Sequence, residues 1–233
     1  MYKRLISALF PRRCAICDKA IEEGKYICAE CARIVRPIDG DTCRKCGKRL
    51  SDSTRLYCYD CSRKIHQYDR GFSVFDYALV KQSLYRFKYA GRAEYACYYA
   101  KVANDSLGDV LRELKADAIV PIPIHRRRLA IRGYNQAQEF AKRLSEYINV
   151  PIVNDYVKRQ KATVPLKLLD EKERKNNLMG AFIIARNDVK YNTIILVDDI
   201  YTTGSTVDAV ASVCRSSGCS KIYVLTIAIG RGL

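Results

Sequence analysis

Asp198 and Asp199 stand side by side, directly after the apolar run Ile194-Ile195-Leu196-Val197 and directly before Ile200-Tyr201-Thr202-Thr203-Gly204-Ser205-Thr206. Paired carboxylates accept hydrogen bonds from neighbouring hydroxyls, or hold a hydrated Mg²⁺ through its waters. The hydroxyl-rich run leads into Val207-Asp208-Ala209-Val210-Ala211, a helix start. A glycine-containing turn at a helix N-terminus aims backbone N–H groups and hydroxyls at one spot, which suits a phosphate. Together these groups would take a sugar phosphate, with its phosphate in the turn and its sugar hydroxyls on the acids. A buried strand capped by Asp and Thr is the plainer reading of strand–Asp–Asp alone; the whole turn in register is what argues for a ligand.

The second set of chemical groups is the cysteines. Eight of the eleven fall in the first 61 residues as four Cys-x-x-Cys pairs, Cys14/Cys17, Cys28/Cys31, Cys43/Cys46 and Cys58/Cys61. Each pair offers two thiolates to one metal, and two pairs complete a tetrahedral site, so the array predicts two structural Zn²⁺ ions with no open position for a substrate. A disulfide framework is disfavoured because the start of the chain does not read as a secretory signal. Sequential sites (the first two pairs, then the last two) are favoured over an interleaved arrangement, which the spacing leaves open. Cys97, Cys214 and Cys219 lack such spacing and read as buried thiols. His66, just past the last pair in Arg63-Lys64-Ile65-His66, reads as a surface residue in a basic patch.

These groups need a scaffold. The run before Asp198 reads as a buried parallel strand with its ligand end at the carboxyl terminus. Gly71 to Tyr77 alternates like an edge strand, Val80 to Tyr89 has helical spacing and ends at Gly91, and residues 93–114 form one helix or a pair. Tyr95, Tyr98 and Tyr99 beside Lys101 offer stacking surfaces for bases, but tyrosines at helical spacing favour a core role. Ala118 to Ile124 is a strand closed by its prolines. His125 to Gln136 reads as a loop carrying Arg126, Arg127, Arg128 and Arg132, able to face pyrophosphate or a nucleic-acid backbone. An amphipathic helix follows from Ala137 to Ile148. Short strands are expected at 151–153, 157–159 and 180–184, a polar mobile flap or surface helix over 163–177, and a last strand at 221–228. The expected fold is α/β: a parallel sheet flanked by helices (residues 68–233), preceded by a small Cys-rich domain (residues 1–67).

The formal charge is +16, or about +12 once two zinc ions sit on eight thiolates, which suits a polyanionic partner. No apolar run is long enough to cross a membrane; the stretch from Met1 to Pro11 reads as a short amphipathic segment, and a cytoplasmic location is expected.

Val197 to Thr206 resembles the phosphoribosyl-pyrophosphate (PRPP) motif of type I phosphoribosyltransferases. Further segments extend the resemblance nearly end to end: Phe87-Lys88-Tyr89-x-Gly91-Arg92, Val120-Pro121-Ile122-Pro123, Arg132-Gly133-Tyr134-Asn135-Gln136-Ala137 and Arg174-x-x-Asn177-x-x-Gly180-Ala181-Phe182. With the cysteine array, the chain is identified as similar to the ComF family, late-competence proteins linked to uptake of transforming DNA. The resemblance implies a double zinc ribbon followed by a type I phosphoribosyltransferase-like domain. It implies that Asp198 and Asp199 contact the ribose 2′ and 3′ hydroxyls, that the segment Tyr201, Thr202, Thr203, Gly204, Ser205 and Thr206 holds the 5′-phosphate, and that Mg²⁺ accompanies PRPP. Arg126 and Arg132 would stabilise the leaving pyrophosphate. Purine-salvage relatives place an Asp where Thr202 stands, so a purine acceptor is disfavoured. Pro165-Leu166 replaces a Gln common in similar proteins. A non-catalytic accessory binding single-stranded DNA or a competence helicase, and a PRPP-sensing regulator with a relic pocket, stay open beside the enzyme.

Overall fold

The apolar run before the two acids becomes an inner strand of the sheet. The computed structural model describes residues 11–160, 180–185 and 189–230. The N-terminal amphipathic segment before Pro11, the 163–177 flap and the positions Pro165, Leu166, Arg174 and Asn177 lie outside the described residues.

Six strands and seven helices are described: α1 (Ala29–Ile34), α2 (Tyr59–Ser62), β1 (Arg70–Asp76), α3 (Tyr77–Tyr89), α4 (Tyr95–Glu113), β2 (Ala118–Pro121), α5 (Arg126–Arg132), α6 (Gln136–Ile148), β3 (Val157–Arg159), β4 (Phe182–Ile184), β5 (Thr193–Tyr201), α7 (Ser205–Ser216) and β6 (Lys221–Ile229). The main sheet has the order β1-β6-β5-β2, every pair parallel. Ile152 bridges Ile119 in parallel beyond β2, while β3 and β4 form a separate antiparallel pair. Ile194 to Val197 are fully buried, as expected of a strand covered on both faces. One apolar cluster packs α3, α4 and α6 onto one side of the sheet, and the other places α7 and the β3–β4 pair opposite.

The tyrosines of α4 settle into the first cluster. Tyr95, Tyr98 and Tyr99 are buried, and Tyr99 packs against Phe75 and Phe87. They are core, not a stacking face. Residues 95–113 form one continuous helix.

Four expectations change. The arginine segment is no loop: α5 is helical from Arg126 to Arg132, capped by His125 and closed by Gly133 in the left-handed region. β1 is buried from Gly71 through Phe75 and does not alternate, because the zinc ribbons and α4 cover it. Cys97 is only half-buried, unlike Cys214 and Cys219. His66 is buried, its side chain 1% exposed, because it pairs with Asp208 of α7.

Candidate functional site

In the described structure, the cysteines group sequentially: Cys14, Cys17, Cys28 and Cys31 form one cluster, and Cys43, Cys46, Cys58 and Cys61 the other. A tetrahedral zinc with bonds of ~2.3 Å needs sulfur–sulfur edges of about 3.8 Å. Cys17 and Cys28 stand 3.8 Å apart and Cys46 and Cys58 3.7 Å apart, and all four sulfurs of each set lie within 4.8 Å of one another. The geometry fits zinc. The two ribbons also repeat each other's backbone pattern. Asp18 N–H donates to Cys14 O, and Gly47 N–H to Cys43 O; Cys14 N–H donates to Lys19 O, and Cys43 N–H to Lys48 O. Both turns use a left-handed residue, Asp18 in the first and Gly47 in the second. Both clusters are structural zinc sites, closed to substrate. Metal analysis of the purified protein is expected to give two zinc ions per chain, and one or none would overturn this assignment.

Each ribbon is moored to the sheet domain at a different place. In the first, Asp18 pairs with Arg92 at 3.0 Å and accepts from the Tyr95 hydroxyl, while the Ser83 hydroxyl and Arg86 donate to the carbonyls of Ala15 and Ile16. In the second, the Ser73 hydroxyl donates to Cys46 O at 2.9 Å, and Ile38 N–H donates to Val74 O at 2.8 Å.

The acids lie near the carboxyl end of β5. The register between β5 and β6 skips Asp199, whose N–H donates to the Asp198 carboxylate at 2.8 Å. That bond takes the amide out of the ladder at the paired acids. Asp199 then receives the Lys88 ammonium of α3 at 2.9 Å, a pair whose side chains are only 14% and 16% exposed. Asp198 has no such direct pair among the described residues. Burial and the neighbouring Asp199 push its carboxyl up to about 7, against the pull of the Asp199 N–H, Lys88 and Arg159. Burial in turn brings the Arg159 guanidinium down to about 10, with Arg128 adding to the effect and Asp198 opposing it. Lys88 and Arg159 therefore bring positive charge to the acids, and Arg128 adds its own beside Arg159.

The turn after β5 has Gly204 in the left-handed region at φ 76° as the N-cap of α7. The first helical bond is Asp208 N–H to Gly204 O at 2.8 Å, so the amides of Ser205 to Val207 precede it and are the free donors of a helix start. Thr203 and Ser205 join hydroxyls at 2.9 Å. Thr202 is exposed, and Thr206 is half-buried in the first helical turn. Tyr201 is buried and shares a 2.8 Å hydrogen bond with the Tyr68 hydroxyl, so its side chain backs the turn.

Of the two arginines singled out in the sequence, Arg126 is exposed in the first turn of α5. Arg132 donates to Gln136 Oε1 at 2.8 Å and to the Tyr89 hydroxyl at 3.1 Å, and lies over the Tyr89 ring. Tyr89 directly follows Lys88 in sequence, so the end of α3 holds the acids with one residue and the end of α5 with the next. Gln136 and the Tyr134 hydroxyl both bond the Phe87 carbonyl, and Asn135 caps α6 while donating to Ile122 O. The Arg132 to Ala137 motif is thus the joint that locks α5 and α6 against α3 and β2. Sequence reasoning placed Lys88 in a motif without giving it a role, and missed Arg159 and His66. Each is brought to the site by tertiary packing, from elements far away along the chain.

The double zinc ribbon domain family matches residues 5–62, and the phosphoribosyl transferase domain family matches residues 129–231. The chain is similar to Competence protein F of Haemophilus influenzae, 30% identical over 226 residues that cover 94% of this chain and 97% of that one. It is similar to the DNA utilization protein YhgH of Escherichia coli, 30% identical over 222 residues covering 92% and 95%. With Competence protein ComFC of Bacillus subtilis it shares 27% over 225 residues, 88% and 89% of the two chains. Two Cys₄ clusters joined to a parallel sheet, with paired acids before a glycine turn, agree with these matches along nearly the whole sequence: the chain belongs to the ComF family of competence proteins.

Proposed function

We infer that the domain binds PRPP or a closely related ribose phosphate. The observation that carries this reading is the joining, within ten residues, of two carboxylates to a glycine turn with free helix-start amides. Asp198 and Asp199 accept the ribose hydroxyls, and the segment from Thr202 to Thr206 takes the 5′-phosphate with its amides and hydroxyls. Lys88 fixes the rotamer of Asp199, so that its second oxygen is presented to the sugar. If pyrophosphate is displaced, negative charge grows on the leaving group, and the arginines of α5 supply fixed positive charge toward it.

Mg²⁺ is the ion such a substrate brings. Among the described residues only the cysteine clusters gather three or more metal-type ligands, and Lys88 already occupies Asp199. The acids therefore fit a hydrated cation that arrives with the polyphosphate and is completed by its oxygens. When bound, Mg²⁺ neutralises charge on the leaving pyrophosphate.

The relatives' names, Competence protein F and DNA utilization protein YhgH, support a role connected with DNA, and the basic charge of +16 favours a polyanionic partner. Calorimetric titration of PRPP with Mg²⁺ into zinc-loaded protein tests the reading. Binding is expected in the native chain and is expected to fall at least about 100-fold in Asp198→Ala/Asp199→Ala, the loss of two charged hydrogen-bond acceptors at ~1.5–3 kcal/mol each. Absence of binding to a folded, metal-replete native protein would leave the nucleic-acid-binding accessory as the better account. Released pyrophosphate with a defined acceptor would establish an enzyme.

A further inference from the structure

The segment Lys64–Tyr68 follows the last zinc ligand of the second ribbon and runs straight under the phosphate turn. Lys64 Nζ donates to the carbonyl of Thr203 at 3.0 Å and lies 3.9 Å from the Asp208 carboxylate. His66 Nδ1 meets the same carboxylate at 3.0 Å, and since a carboxylate only accepts, Nδ1 carries the proton. The backbone N–H of Gln67 donates to the other Asp208 oxygen at 3.0 Å. Tyr68 holds the Tyr201 hydroxyl at 2.8 Å. A Cβ on Gly204 would stand 2.3 Å from the Tyr201 hydroxyl and 3.2 Å from His66 Cε1, so the turn sits directly on these two side chains.

The segment is held by the second ribbon at both ends. At the start it continues the chain from Cys58 and Cys61. At the far end Lys45, which lies between Cys43 and Cys46, donates Nζ to Tyr68 O at 2.7 Å. The first ribbon makes its polar contacts elsewhere, on α3, the α3–α4 link, α4 and α6.

We propose that Lys64–Tyr68 is a positioning strap for the phosphate turn, through which the second zinc ribbon, and not the first, sets the shape of the ligand pocket. The argument is one of connectivity. Thr203, Gly204 and Asp208 make five polar or packing contacts with a segment that the second ribbon holds at both ends. Lys64 also places a positive charge beside the turn, where it favours an anion. Because coupling between two sites is reciprocal, a ligand seated in the turn must in turn retain the second zinc. The ligand half of this inference rests on the ribose-phosphate reading; the strap itself does not.

The first experiment needs no ligand. Amide hydrogen exchange is followed in zinc-loaded native protein and in His66→Ala, with zinc content measured on both. Exchange at the first hydrogen-bonded amides of α7, residues 208–211, is expected to speed up at least about tenfold in the variant, while β6 stays protected and both zinc ions remain. Unchanged exchange over 208–211 would overturn the strap. If His66→Ala loses protection throughout, Tyr68→Phe, which removes a single hydroxyl and keeps the ring, decides by the same criterion. The second experiment follows zinc transfer to a chromogenic chelator with and without PRPP and Mg²⁺. Ligand is expected to slow release of one of the two ions severalfold in native protein, and to lose that effect in Tyr68→Phe. Ligand binding by calorimetry with no change in zinc release would refute the coupling. No binding at all would refute the ribose-phosphate reading, and the exchange result would still decide the strap.

Discussion

Gly47→Ala is expected to lower stability by about 3–5 kcal/mol and to release the second zinc ribbon from the sheet, in the range seen when backbone conformation and packing fail together. Gly47 has φ 74°, a region that costs a residue with a side chain about 1 kcal/mol or more. Space is the larger difficulty. A Cβ at this position would lie 2.5 Å from Ser73 N and within 2.9 Å of two backbone atoms of Phe72, none of which is the movable end of a side chain. The reverse contact is equally close, since a Cβ on Gly71 would stand 2.1 Å from Lys45 O. Knuckle and strand approach here backbone to backbone. Urea unfolding of zinc-loaded protein, with chelator-accessible zinc measured alongside, checks the expectation. A variant with native stability would show that the ribbon does not dock on β1 as described. Gly24 is the control, because it shares a positive φ but has nothing within 4 Å of its would-be Cβ; Gly24→Ala is expected to cost only about 1 kcal/mol.

Asp198→Asn is expected to stabilise the ligand-free protein while impairing its pocket. The folded state holds this carboxyl near 7 through burial and the adjacent Asp199, whereas in the unfolded chain it ionises near the ordinary value of ~3.9. With the folded value raised, wild-type stability is complete below the unfolded value, declines as pH rises through the window between the two, and is constant above the folded value. Asparagine cannot ionise, yet its side-chain oxygen still accepts the Asp199 N–H. The stabilising effect of the substitution is therefore expected to grow by about 2 kcal/mol between pH 5.5 and 8.5, from ~1.4 kcal/mol per unit of pH below 7 and little above it. Melting curves of the two proteins at matched zinc loading measure it. A difference that does not change with pH would mean that Asp198 ionises as it would in water. The same charge that costs the free protein stability is the one a ribose diol would bind.

Much of this arrangement was legible in the residues. Cys-x-x-Cys spacing announces a metal whatever the surroundings, because both thiolates come from one local turn. The segment from Ile194 to Thr206 is equally local: strand, acids, turn and helix start follow one another without interruption. What could not be read is what other elements bring. Lys88 sits 111 residues before Asp199, and His66 142 residues before Asp208, and no periodicity reports such distances. His66 was misplaced on the surface because its short neighbourhood, Arg63-Lys64-Ile65-His66, is polar and basic, while its partner lies on α7. The arginine segment misled for a different reason. Four arginines in seven residues suggest a solvated loop, but His125 and Gly133 supply the start and stop signals of a short helix.

The position of β1 has a consequence for how the protein is made. Its one neighbouring strand among the described residues, β6, follows about 150 residues later in the chain, a delay of roughly 8–30 s at ordinary rates of synthesis. During that interval an apolar strand leaves the ribosome with no sheet to join, the kind of edge that recruits other chains. The ribbons have already been made by then. Ile38 and Cys46, which bond β1 in the finished protein, emerge before it does, and with metal in place they give the nascent strand a native surface to lie on. Zinc supply thus bears on the yield of the whole chain during translation, well before any pocket exists to be filled.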